Sequence, residues 1–186
     1  SLHDALPIWL KKLDQNGEEK VAIGHTRWAT HGKPSQENAH PHTDCHREIF
    51  LVHNGIIENY LPLRQELIKV GYSFESETDT EVIAHLLNQA LKKNNNFLLA
   101  VQKTVARLEG TYAIVFLYQD DPKSLIAVRK GSPLMVGLGY GENFIASDHL
   151  ALLSVTQQFI YLQEGDIASA ECRAKFLCER LNTWFN

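Results

Sequence analysis

The residues best suited to chemistry stand together in His25-Thr26-Arg27-Trp28-Ala29-Thr30-His31-Gly32. Arg27 offers a planar fork of donors that fits a carboxylate, and Thr30 and His31 add a hydroxyl and a ring donor beside it. A buried strand would have to satisfy each of these consecutive polar groups, so the stretch reads as a ligand-contacting passage from strand to loop. Two other places bear on the same chemistry. Asn54-Gly55 follows the apolar run Ile49–Val52 and has two readings of equal weight. It is a tight turn in which Gly55 supplies a positive φ, or an oxyanion hole built from an Asn amide and a glycine N–H. Asp79 either complements a helix dipole in a first turn or receives a ligand ammonium group. With Arg27 taking a carboxylate, the second reading describes a site for a free amino acid.

Other constellations carry less. His40, His42, His46 and His53, with Asp44 and Cys45, match no standard ligand spacing for zinc, and a strand-like His40-Pro41-His42 would send its two rings to opposite sides. No metal and no cofactor is expected. Gly137-Leu138-Gly139-Tyr140-Gly141 is followed by the strand-like Phe144-Ile145-Ala146 instead of a helix, which excludes a nucleotide fingerprint. No Gly-x-Ser-x-Gly elbow occurs.

These side chains must be positioned by 186 residues, of which 44% are hydrophobic and 22% charged, enough for one domain with a real core. A net charge of −4 gives no footprint for nucleic acid, and no apolar run reaches the roughly 20 residues of a membrane span. The three cysteines, Cys45, Cys172 and Cys178, form no framework and point to reduced thiols in a cytoplasmic setting.

Val21-Ala22-Ile23-Gly24 reads as the end of a strand, Lys33 to His42 as a tethered loop, and Ile49–Val52 as a buried strand ending in a turn. Asn59 is placed to cap a helix from Tyr60 to about Val70 that Gly71 ends. Thr78-Asp79-Thr80-Glu81 reads as a capping box opening a helix with Val82, Ile83, Leu86, Leu87, Ala90 and Leu91 on one face. A third helix runs from about Phe97 to Leu108. Short strands follow at Tyr112–Tyr118, Leu125–Val128, Leu134–Val136, Phe144–Ala146, Phe159–Leu162 and Asp166–Ala168. Strands so closely spaced imply antiparallel hairpins, and the whole an α+β domain with helices covering sheets.

Taken in order, His25 to Gly32, Asn38-Ala39-His40-Pro41-His42, His53-Asn54-Gly55-Ile56-Ile57-Glu58-Asn59 and Ser76 to His85 resemble the class II glutamine amidotransferase domain. Gly131-Ser132-Pro133-Leu134 and Gly141 to Asp148 continue the likeness, which runs from about Val21 to about Ile167. The wording is that of the branch that makes glucosamine 6-phosphate from fructose 6-phosphate. The resemblance implies a four-layer αββα sandwich, two antiparallel sheets between helices, of the N-terminal nucleophile hydrolase type. It implies hydrolysis of L-glutamine to L-glutamate, with Arg27, Thr30 and His31 on the glutamine carboxylate and Asp79 on its ammonium group. Trp28 would flank the pocket, and Asn54 and Gly55 would form the oxyanion hole. In that branch the ammonia passes to a C-terminal pair of sugar isomerase domains, within a homodimer.

The family's nucleophile is an N-terminal Cys whose own amine is the base. This chain begins at Ser1, holds no Cys-Gly-Ile start, and its Cys45 is interior. The first strands of the fold and the isomerase half are therefore expected to be missing, and the chain is expected to be inactive by itself. Residues 1–20 read as a non-matching lead, 21–168 as the glutaminase domain and 169–186 as a divergent tail. The competing readings are a non-catalytic glutamine-binding or interaction module, another class II amidotransferase, and a metal-dependent hydrolase built on the histidines.

Overall fold

A computed structural model of the chain describes residues 21–26, 33–171 and 176–180. Strand β1 (His42–Thr43) and strand β2 (Ile49–Ile57) precede three helices, α1 (Tyr60–Lys69), α2 (Glu81–Leu91) and α3 (Phe97–Val105). Strands β3 (Gly110–Tyr118), β4 (Asp121–Lys130), β5 (Met135–Leu138), β6 (Asn143–Ala146), β7 (Phe159–Tyr161), β8 (Asp166–Glu171) and β9 (Phe176–Arg180) follow. Every pairing is antiparallel. Six strands form one sheet in the order β1-β2-β3-β4-β8-β9, and three form a second in the order β6-β5-β7.

The two-residue alternation of the strands divides the core in two. Ile49, Leu51, Ile57, Ile114, Phe116, Ile126 and Val128 point to one side of the large sheet and meet the apolar faces of the three helices. Val52, Ala113, Val115, Ala127 and Ala168 point to the other and meet Leu134, Val136 and Leu162 of the second sheet and its flanks. Ala127 lies opposite both Val115 and Ala168, so the middle of the inter-sheet layer is built from small side chains. The result is the α+β sandwich of two stacked sheets that the sequence implies. Among the described residues, helices cover the large sheet, while Leu152 and Thr156, just beyond a 3-10 turn at His149–Ala151, lie over Gly137 of the small one.

Several local expectations need correcting. Val21–Thr26 is assigned no strand, although Ile23 packs against the inter-sheet cluster. Helix α1 does run as expected, from Tyr60 to Lys69 with Val70 as its C-cap and Gly71, at φ 97°, just beyond. Asn59 does not cap that helix with its side chain. Its Nδ2 donates to Arg107 O at 2.8 Å and its Oδ1 accepts from Glu109 N at 3.1 Å, so it latches the start of α1 to the α3–β3 connection. The Asn96 side chain does cap, accepting from Leu99 N, and α3 ends at Val105, with Leu108 buried beyond it. Helix α2 is buried almost all round, from Glu81 through Asn88, as its place between α1, α3 and the sheet requires. Strand β9 pairs along β8, from Asp166 opposite Arg180 to Ala170 opposite Phe176.

Candidate functional site

The site gathers where β2 loses its outer neighbour. β2 pairs with β3 along its whole length but with β1 only at Phe50 and Leu51. From Val52 to Ile57 its other edge is unpaired by any described strand. A backbone edge of this kind must find partners elsewhere. Ile57 N–H finds the buried carboxylate of Asp79, donating to Oδ2 at 2.8 Å.

Asn54-Gly55 is not a turn. Both residues lie inside β2, Asn54 opposite Ala113 and Gly55 opposite Tyr112. Gly55 has φ +133°, and a Cβ there would sit 2.0 Å from Thr111 O, so this strand position admits only glycine. The alternation of β2 puts Asn54 on the face of Val52, toward the second sheet. Its Oδ1 accepts from Nε2 of His25, in the segment whose Ile23 packs into the same inter-sheet layer. With the oxygen held, the amide keeps its Nδ2 as a donor.

Asp79 sits in a loop, Ser76–Thr80, in which every residue is tied to a different part of the molecule. Ser76 N and Oγ donate to Glu81 Oε2 at 2.7 and 2.6 Å. Glu77 N donates to Asn38 Oδ1 at 2.9 Å, and Thr78 Oγ1 is hydrogen-bonded to His42 Nε2 at 3.1 Å. Thr80 Oγ1 is hydrogen-bonded to His53 Nδ1 at 3.0 Å. The Thr78–Glu81 capping box is therefore not formed. Glu81 turns back to the chain entering its helix, and also accepts from Glu75 N at 2.8 Å and lies 3.4 Å from His85 Nε2. Burial alone would push the Glu81 carboxyl up. Its bonds to His85, to the Ser76 hydroxyl and to the Glu75 and Ser76 amides outweigh burial and bring it down to about 2.

Of the residues expected at the site, Asn54, Gly55 and Asp79 are brought to one end of β2. Arg27, Trp28, Thr30 and His31 lie outside the described residues. His25, the first residue of the stretch read as ligand-contacting, acts by holding the Asn54 amide, and Glu81, Asn38, His42 and His53 shape the site without a role expected there from the sequence. The signal available for three of them was the polar density of Asn38–His42 and of His53-Asn54, which a solvated loop does not need. The rings of His40 and His42 do not point apart. The segment is not strand-like at His40, and their centroids lie 4.8 Å from each other. Among the described residues no three or more His, Cys, Asp or Glu side chains converge as metal ligands. Cys45 is exposed, in the connection between β1 and β2. No helix of the described residues is long and apolar enough to cross a membrane.

Chemically, an Asn amide and a glycine strand edge lie beside a buried carboxylate, on a backbone that is held from several sides. That arrangement suits a small ligand carrying both a carbonyl and an ammonium group. The chain matches a family model described as "Glutamine amidotransferase domain" over residues 25–154. It is 60% identical over 148 residues to the glutamine–fructose-6-phosphate aminotransferase (isomerizing) of Legionella pneumophila (strain Lens), covering 80% of this chain and 24% of that protein. To the enzyme of the same name from Escherichia coli (strain K12) it is 58% identical over 154 residues, 83% of this chain and 25% of that one. The chain thus spans about a quarter of the length of these curated relatives. Its fold is similar to glutamine phosphoribosylpyrophosphate amidotransferase from B. subtilis, with a TM-score of 0.70 and 25% identity over 85% of this chain and 34% of that one. A glutamine aminotransferase class-II domain protein from Silicibacter pomeroyi shares the fold at a TM-score of 0.54 and 16% identity, over 72% of this chain and 68% of that one. A match of this extent, on a double sheet of this topology, makes the chain a member of the glutamine amidotransferase domain family.

Proposed function

We propose that this chain is the glutamine-binding body of a glutaminase, occupying residues 21–168, and that its pocket lies at the open end of β2. Asp79 receives the α-ammonium group of glutamine, and Arg27 the α-carboxylate with Thr30 and His31, while Trp28 flanks the pocket. Asn54 Nδ2 and the Gly55 N–H receive the side-chain carbonyl oxygen as it takes on negative charge. The observation that carries this reading is the Asp79–Ile57 bond of 2.8 Å, which ties a buried carboxylate to the same short strand segment that holds Asn54 and Gly55. Donor alternation supports the Gly55 role. Glu58 N–H turns toward β3, onto Glu109 O, and Ile57 N–H turns away from it. The Gly55 N–H, two residues earlier, is then directed to the open edge as well.

Hydrolysis of the amide needs a nucleophile with a base beside it. Cys45 does not meet that requirement, since it is exposed and its nitrogen is locked in a peptide bond. In this reading ammonia released from glutamine serves an amination of fructose 6-phosphate, the second substrate in the relatives' names, and the sugar isomerase pair and the dimer that would use it are what the sequence resemblance implies for the longer protein.

Calorimetric titration of the chain with L-glutamate tests the pocket. Asp79→Asn keeps the acceptor for Ile57 N–H and removes the charge, so it leaves the fold intact and should weaken binding roughly thirtyfold. Arg27→Ala should weaken it at least as much. Unchanged affinity in either variant refutes the role assigned to that residue.

A further inference from the structure

The segment Asn38–His42 has no part in binding glutamine as described above, yet it is built into the site from both sides. Asn38 is buried, 3% exposed, and spends its amide on two backbones: Oδ1 accepts from Glu77 N at 2.9 Å and Nδ2 donates to Lys33 O at 3.0 Å. His42, also buried, is bonded to Thr78. The two residues immediately before Asp79 are therefore both held from this one segment. Between Asn38 and His42, the ring of His40 lies 4.3 Å from that of His25 and 4.8 Å from that of His42, centroid to centroid. His25 in turn holds the amide oxygen of Asn54. Contacts thus run without a break from Asn54 through His25, His40 and His42 to Thr78, the residue before Asp79.

We infer that Asn38–His42 is a positioning element that sets the separation between Asp79 and Asn54, and so the length of amino acid the pocket accepts. This rests on the reading in which Asp79 takes the ammonium end and Asn54-Gly55 the side-chain carbonyl. Those two groups belong to different parts of the chain, a loop and a strand. The direct ties to β2, Asp79 to Ile57 and Thr80 to His53, fix only the end of the loop that enters α2. The ties at Glu77 and Thr78, continued to Asn54 through the tilted and edge-on contacts of the imidazoles, fix the other end. A ligand one methylene shorter than glutamine cannot then reach both ends at once, and a loosened loop would let it.

The test is a ratio, the affinity of the chain for L-glutamine over that for L-asparagine, measured by calorimetry with circular dichroism as the check on folding. Asn38→Ala and Thr78→Val each remove one tie and should lower the ratio about fivefold or more, the loss expected of one buried hydrogen bond. His42→Gln, which can still bond Thr78 but loses the ring contact with His40, should lower the ratio less than Thr78→Val does. Asp79→Asn should weaken both ligands and leave the ratio near the wild-type value. If folded Asn38→Ala and Thr78→Val keep the wild-type ratio while Asp79→Asn loses affinity, the positioning role is overturned and the pocket stands. If Asp79→Asn binds like the wild type, the pocket reading falls and takes the positioning role with it. If neither Asn38→Ala nor Thr78→Val folds, the segment supports the core as a whole, and the positioning role is again overturned.

Discussion

Gly55→Ala should destabilise the chain by about 3–5 kcal/mol, a large part of the stability of an ordinary domain. Two costs combine. The backbone at φ +133° disfavours any side chain, and the new Cβ would lie 2.0 Å from Thr111 O and 2.9 Å from Tyr112 Cα. Those atoms are backbone of the paired strand, so relief requires β2 and β3 to part at the centre of the main sheet, where Tyr112 and Ile114 are fully buried. Gly71→Ala separates the two costs, since its φ is +97° but no atom lies within 4 Å of the added methyl. It should lose only about 1 kcal/mol. Urea unfolding of both variants measures the difference, and a Gly55→Ala loss no greater than that of Gly71→Ala would show that the close approach is not rigid.

Glu81 should make the fold acid-sensitive. Its carboxyl titrates near 2 in the folded chain, against an ordinary value of 4.5. The folded state binds that proton less tightly than the unfolded one, so stability rises with pH between the two values and is constant above the upper one. The stabilisation is therefore present in full at neutral pH and lost as pH falls from 4.5 toward 2. Its size is about 2–3 kcal/mol, with some allowance for screening by water. Glu81→Gln keeps the shape but offers a single acceptor to the donors from Glu75 and Ser76. It should lower the urea midpoint at pH 7 and flatten its fall in acid. Parallel pH profiles for wild type and variant would exclude this account.

What could be read in advance depended on how local its cause was. The apolar stripe of α2, the start of α3 at Phe97 and the close-set strands after Gly110 are written in neighbouring residues, and the α+β layering follows from them. The misreadings have long-range causes. Asn54-Gly55 has the composition of a turn, but Gly55 is needed because Thr111, far along the chain, passes against it. Asn59 looks like a cap and is claimed by Arg107 and Glu109. Thr78 and Glu81 have the spacing of a capping box, yet His42 takes one and the Ser76 hydroxyl and amide take the other. The pairing of Asn54 with His25 joins groups 29 positions apart, which no local pattern announces. The ordered motifs exposed the family where the elements alone could not, since amide, carboxylate and imidazole groups at those positions serve packing and binding alike.

The tethering of Ser76–Thr80 also bears on what ligand capture costs. Fixing one residue's backbone loses about 1–2 kcal/mol in conformational entropy. Here five consecutive residues are fixed during folding, by Glu81, Asn38, His42, Ile57 N–H and His53, before any ligand arrives. That loss is already contained in the stability of the empty domain. A ligand meeting this loop has little left to order, so its affinity reflects desolvation and contact, and its capture does not wait for the loop to close.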